Sequence, residues 1–121
     1  MDDQDTLTAL KRRVIEFRDA RAWGPFHTPK NLAMALAIEA GELQELFLWK
    51  EDSEILTSLQ NDPFGIRVRE EMADILIFLL YLAQAADVDL SEAVKAKLIK
   101  NQAKYPVSKS FGSSKKYNEL D

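Results

Sequence analysis

Two pairs of acids, Glu39-x-x-Glu42 and Glu71-x-x-Asp74, are the residues of this chain best placed to do chemistry. Each pair interrupts an apolar stretch of helical periodicity, where acids are costly unless something binds them. Residues three apart on a helix are neighbours, with Cβ atoms about 5–6 Å apart. Each pair therefore sets two carboxylates on one face, and two such helices side by side present four. The i+4 positions that would give surface acids a cationic partner are Leu43, Leu46, Ile75 and Phe78. Of the four acids only Glu71 has a base at helical spacing, Arg67 one turn earlier. Two carboxylates about 5 Å apart repel by roughly 3 kcal/mol at an effective dielectric near 20. Four that converge need protons or a divalent cation, and the cation is the reading adopted here. With no cysteine and one histidine in the chain, hard oxygen ligands point to Mg²⁺, with Mn²⁺ as a substitute. Mg²⁺ is usually shared between carboxylates, waters and substrate phosphates, so phosphate chemistry is the expectation. A water deprotonated with help from a carboxylate would attack phosphorus while the cation neutralises the leaving group.

Such pairs need long helices to hold them. The first helix is expected from Thr6 to about Arg21, with Leu7, Leu10, Val14 and Phe17 on one face. Trp23-Gly24-Pro25 ends it. Thr28 and Pro29 form an N-cap and N1 pair and open a second helix that runs to about Lys50. Its start, Leu32 to Ile38, is apolar all round, which marks it as central. Asp52-Ser53 breaks it, and Glu54 to Leu59 form a short extra turn. Asp62-Pro63 repeats the cap-and-proline signature before a third helix, about Phe64 to Ala86. Asp87-Val88-Asp89 is a turn, and Ser91 caps a fourth helix ending near Tyr105, before Pro106. No segment shows sustained alternation of period two. The fold class is therefore all-α, a four-helix bundle-like arrangement in which antiparallel second and third helices bring Glu39 and Glu42 opposite Glu71 and Asp74. Two helices apolar on more than one side also point to an oligomer.

Residues 1–106 read as a single helical domain. Residues 107–121 turn to Ser, Lys and Gly and read as a polar, flexible tail that orders on meeting a ligand or a neighbouring subunit. Hydrophobic residues at 46% and charged residues at 30% place the chain among globular domains rather than disordered ones. The formal charge of −4 argues against a nucleic-acid partner. Absence of cysteine fits a reducing compartment. The polar start, Met1 to Asp5, lacks a basic region followed by an apolar run, so no signal peptide is expected and the localisation reads as cytoplasmic. The longest apolar run, Ile75 to Ala86, falls short of the roughly 20 residues a bilayer requires, so no membrane partner is expected.

A longer pattern is more specific. Glu39-Ala-Gly-Glu42-Leu-Gln-Glu45-Leu-Phe-Leu-Trp49-Lys50, followed by Glu70-Glu71-Met-Ala-Asp74-Ile-Leu-Ile, resembles the MazG-like all-α nucleoside triphosphate pyrophosphohydrolases, and among them is most similar to the dCTP pyrophosphatase branch. Trp23-Gly-Pro-Phe26-His27-Thr-Pro29-Lys30-Asn31, Asn101-Gln-Ala-Lys104-Tyr105-Pro106 and Ser114-Lys115-Lys116-Tyr117 extend the resemblance over nearly the whole chain. It implies hydrolysis of a nucleoside triphosphate between the α and β phosphates, giving monophosphate and pyrophosphate, in cleansing of nucleotide pools. It also implies Glu39, Glu42, Glu71 and Asp74 as Mg²⁺ ligands, with Glu39 as the favoured residue to orient or deprotonate the attacking water. Homodimers or homotetramers with sites completed across subunits are implied as well.

The remaining candidates are substrate-binding residues. Lys97, Asn101 and Lys104 recur at i, i+4 and i+7 and either hold phosphate oxygens or form a solvated basic face; the resemblance favours function for Lys97 and Asn101. Tyr105 caps a helix end or touches the triphosphate. Lys30 and Asn31 face an anionic substrate at a helix start, or simply begin the helix. Trp23 and Trp49 are core or interface by type, and the resemblance makes them base-stacking residues instead. His27, in a loop, is structural or a base-pocket contact rather than a catalytic base. Phe78 suits a pocket wall and plain core equally. Vertebrate-type dCTP pyrophosphatases carry a histidine on the first helix that helps read cytosine, and the matching position here is Val14, which leaves the preferred base open. A catalytically inactive helical nucleotide-binding or regulatory module is the alternative. A di-iron site is disfavoured, because it usually takes Glu-x-x-His on two helices and His27 lies on neither acidic one.

Overall fold

The computed structural model describes residues 2–121, among which every regular element is helical and none is a strand. Met1, the first residue of the expected domain and of the polar start, lies outside the described residues. The α-helices are α1 (Leu7–Asp19), α2 (Pro29–Phe47), α3 (Asp52–Ser58), α4 (Phe64–Ala85), α5 (Leu90–Lys104) and α6 (Val107–Ser110). Short 3₁₀ turns cover Asp2–Gln4, Gly24–Phe26 and Tyr117–Glu119.

Local chemistry sets the ends of these helices, in places differently from the expectation. Thr6 stands outside α1 as its N-cap, its hydroxyl accepting from the Ala9 amide at 3.0 Å. α1 stops short of Arg21 because Ala22 adopts φ 53°, which no helix continues. Thr28 caps α2 as expected, accepting from the Asn31 amide at 3.2 Å, with Pro29 at N1. α2 ends at Phe47 rather than near Lys50, since Leu48 leaves helical space and Trp49 takes φ 64°. Asp52 and Ser53 accordingly open α3 instead of breaking α2, their acidic neighbourhood favouring a helix start. Asp62 does not cap α4: its carboxylate faces the Arg69 guanidinium at 3.4 Å, and Pro63 occupies the cap without a side-chain bond. Asp89, not Ser91, caps α5, because the Asp89 backbone is extended and its carboxylate receives the Glu92 amide at 3.0 Å. Asp87, in the preceding turn, has φ 53°.

The chain divides after Asp87 into two compact units. In the first, α4 packs against both α2 and α1. Its buried core is built by Leu32 and Leu46 of α2 with Val68, Leu80, Tyr81 and Ala83 of α4. α2 and α4 run antiparallel: the His27 ring, just before α2, lies 4.5 Å from the Tyr81 ring late in α4. At the opposite end Phe47 meets Phe64 edge-on at 6.1 Å. That register sets the middle of α2, with Glu39, across from the middle of α4, with Glu71. Leu80 is 2% exposed, so Leu80→Ala should leave a cavity and cost about 2–5 kcal/mol. A chemical-denaturation midpoint that hardly moves would show that Leu80 is not part of a packed core.

The second unit, Val88–Asp121, holds α5, α6 and the 3₁₀ turn at Tyr117–Glu119. Tyr105 meets Tyr117 edge-on at 6.2 Å, and the Lys104 ammonium lies 4.7 Å from the centre of the Tyr117 ring. Residues 117–119 are thereby tied to the C-terminal end of α5. No helix among the described residues is long and apolar enough to cross a membrane.

Candidate functional site

The antiparallel register of α2 and α4 converts two helical spacings into one cluster. One carboxylate oxygen from each of Glu39, Glu42 and Glu71 lies within 4.8 Å of the others. None of these three, nor Asp74, forms an ion pair among the described residues, and Arg67 does not pair with Glu71. Oε2 of Glu39 and Oε2 of Glu71 are shielded from water with no hydrogen-bond partner. A buried carboxylate oxygen without a donor is expensive. Glu39 responds by holding its proton: its pKa is pushed up to about 7. The largest cause is the Glu71 carboxyl, which a protonated Glu39 can bond as donor. Burial follows, and then hydrogen bonding and charge from Glu42, with the Asp74 charge last. Converging oxygens, shielded lone pairs and no protein cation are what a divalent ion would satisfy, so the residues present fit such an ion.

Asp74 also lines a cavity of about 690 Å³ between α1 and α4, within the usual range of a small-molecule site. The walls are mostly apolar, with Val14 and Phe17 from α1 and Ile77, Phe78 and Tyr81 from α4. Trp23 and His27 line the cavity too. Trp23 packs edge-on to Phe17 at 5.8 Å. Burial, and next the nearby Arg18 charge, lower the His27 pKa, which keeps the ring neutral. Its Nδ1 is shielded and unpartnered. Tyr81 is held in its phenol form, its pKa raised chiefly by burial.

The structure thus brings together three acids at one place, and Asp74, Trp23, His27, Phe78 and Val14 along one cavity. Other sequence candidates lie elsewhere. Asn31 is engaged at the start of α2, its side-chain amide donating to the Phe26 carbonyl at 3.1 Å. Lys30 beside it is exposed and makes no ion pair among the described residues. Trp49 is 93% exposed and does not line the cavity. Lys97, Asn101, Lys104 and Tyr105 belong to the second unit, on α5 and at its C-cap. Phe17, Tyr81 and Arg13 line the cavity without having been singled out as site residues. The signal for Arg13 was present: it follows Leu10 by three residues and precedes Phe17 by four, on the apolar face of the first helix.

An all-helical chain with this acid cluster beside an apolar cavity belongs to the MazG-like family, whose model matches residues 34–120 and so spans both acid pairs. It is 43% identical over 117 residues to dCTP pyrophosphatase 1 of Bos taurus and 41% identical to that of Homo sapiens. Each match covers 97% of this chain and 69% of the relative. Among solved structures, a pyrophosphatase from Archaeoglobus fulgidus DSM 4304 is similar with a TM-score of 0.74 at 45% identity. That likeness covers 80% of this chain and 89% of the archaeal one.

Proposed function

We propose that this chain is a Mg²⁺-dependent nucleoside triphosphate pyrophosphohydrolase that cleaves dCTP or a related deoxynucleoside triphosphate between the α and β phosphates, releasing monophosphate and pyrophosphate. The observation that carries the reading is the convergence of Glu39, Glu42 and Glu71 within 4.8 Å, beside a nucleoside-sized cavity. The similarity to dCTP pyrophosphatases supports the enzyme class and the substrate, and removal of surplus or unwanted nucleotides is the role that follows.

Glu39, Glu42, Glu71 and Asp74 would hold the Mg²⁺, with Mn²⁺ as a substitute. Bound there, the ion supplies charge neutralisation on the phosphates as the α–β bond breaks. Glu39 would orient the attacking water and take its proton as general base. Trp23 and Phe78 offer flat faces to the base, and the apolar walls exclude water from it. His27, neutral, contributes to the pocket rather than to proton transfer. Lys97, Asn101, Lys104 and Tyr105 bind phosphate oxygens, with Lys30 and Asn31 as a further polar group at the start of α2. Trp49, standing clear of its own cavity, serves the site of a second copy.

The working form is a homodimer or homotetramer. Met34 and Ile38 on α2 and Met72 on α4 are each more than half exposed, which supports a partner on those helices. In that assembly residues 1–106 act as one four-helix bundle-like MazG domain and 107–121 as its appended tail. The location is cytoplasmic, and neither nucleic acid nor membrane is a partner.

The test is product analysis after incubation of the purified chain with each dNTP and NTP, with and without Mg²⁺. Metal-dependent release of monophosphate and pyrophosphate in equal amounts is the expected result. Orthophosphate release, or no turnover of any triphosphate, would overturn it and favour a binding module without catalysis.

A further inference from the structure

Arg13 lines the same cavity as Asp74, yet forms no hydrogen bond or ion pair among the described residues, although Glu16 stands one turn away. Its place along the cavity follows from helix direction. Arg18, in the last turn of α1, and Arg21, just beyond it, act electrostatically on Tyr81, late in α4. Leu10, Arg13, Val14 and Phe17 therefore accompany α4 from Ala73 to Tyr81 in the same sense. Arg13 sits between the acid end, at Asp74, and the aromatic end, at Trp23, His27 and Tyr81. Long side chains on a helix lean toward its N-terminus, and for α1 that is the Asp74 end. Arg12, its neighbour, does not line the cavity.

We propose that Arg13 binds the α-phosphate of the nucleotide whose nucleoside part fills this cavity, a claim that rests on the function proposed above. The chemistry suits the position. A guanidinium fork matches two phosphate oxygens, stays charged at every working pH and supplies donors only. The acid cluster beyond Asp74 repels a bare triphosphate, and a fixed cation on the cavity side counters that repulsion where the nucleoside joins the phosphate. Among the described residues no other lysine or arginine lines the cavity.

The experiment compares wild type, Arg13→Ala, Arg13→Lys and Arg12→Ala. Turnover of the preferred triphosphate is measured, together with calorimetric binding of the product monophosphate and of the parent nucleoside. Arg13→Ala should weaken monophosphate binding and lower kcat/KM by about 10–100-fold, the weight of a charge-assisted hydrogen bond. Nucleoside binding should stay within about twofold of wild type, because only the phosphate contact is lost. Arg13→Lys should fall between, keeping the charge and losing the fork, and Arg12→Ala should match wild type. Equal monophosphate binding by wild type and Arg13→Ala would overturn the proposal. So would a parallel loss of nucleoside affinity, which would place Arg13 on the base or sugar. Should Arg13→Ala fail to fold by circular dichroism, Arg13→Lys decides: unchanged monophosphate affinity and kcat/KM overturn the phosphate contact. A wild type that turns over no triphosphate counts against the function proposed above, while monophosphate binding still reads Arg13 on its own.

Discussion

Glu42→Gln is expected to lower kcat/KM by at least about a hundredfold while leaving the protein folded. Residues that merely support metal ligands cost 10–100-fold when changed, so a ligand itself should cost no less. Glu42 is exposed and the exchange is isosteric, so no core packing is lost. Removal of one of three converging charges also relieves repulsion on Glu39 and Glu71. The thermal midpoint should therefore hold or rise as activity disappears. Initial rates at saturating cation, with a melting curve on the same sample, make the comparison. Activity within threefold of wild type would remove the acid cluster from the catalytic centre and leave a scaffold that happens to be acidic.

The second large effect is on cation affinity as a function of pH. Glu39 carries a proton up to about pH 7, and a ligating carboxylate must give that proton up. Below pH 7 the apparent affinity for Mg²⁺ or Mn²⁺ should fall by about tenfold per pH unit, and above it should level off. Near pH 6 the binding of cation should release close to one proton, seen as a dependence of calorimetric heat on the buffer's ionisation enthalpy. Glu39→Gln should abolish that dependence. Affinity that stays flat between pH 6 and pH 8 would sink the assignment. For the metal-free chain the sign of the stability effect follows from the same shift. The folded pKa is raised above the ordinary glutamate value of 4.5, so the folded state binds the extra proton. Its stabilisation is full at acidic pH below that value, and is lost as pH rises toward 7.

The all-helical class and the order of the helices were legible because the apolar spacing is strong and the prolines fall at helix starts and after the last long helix. The meeting of Glu39 with Glu71 was legible too, since each acid pair lies well inside a long apolar helix and an antiparallel pairing of the two helices sets them opposite each other. Helix ends were less so. Nothing in Leu48-Trp49 announces a left-handed residue at Trp49, because the signal is usually glycine and here is none. Asp89 and Ser91 are both competent caps, and only the extended backbone at Asp89 decides between them. The cavity was hidden for a different reason. Leu10, Arg13, Val14 and Phe17 on α1 read as a face to be packed, and spacing alone does not say that this face and α4 leave about 690 Å³ between them. Spacing put Arg13 on the same face as Leu10 and Phe17, but that it and Tyr81 border an open gap shows only once the two helices are placed.

The shielded oxygens of Glu39 and Glu71 carry a consequence for how such a chain responds to selection. They are local conflicts in an otherwise consistent helix pair, retained where a neutral residue would pack at lower cost. A screen of variants for heat resistance alone, blind to turnover, would enrich neutral replacements at these two positions before most others. Improvement by that route and loss of the enzyme would be the same event.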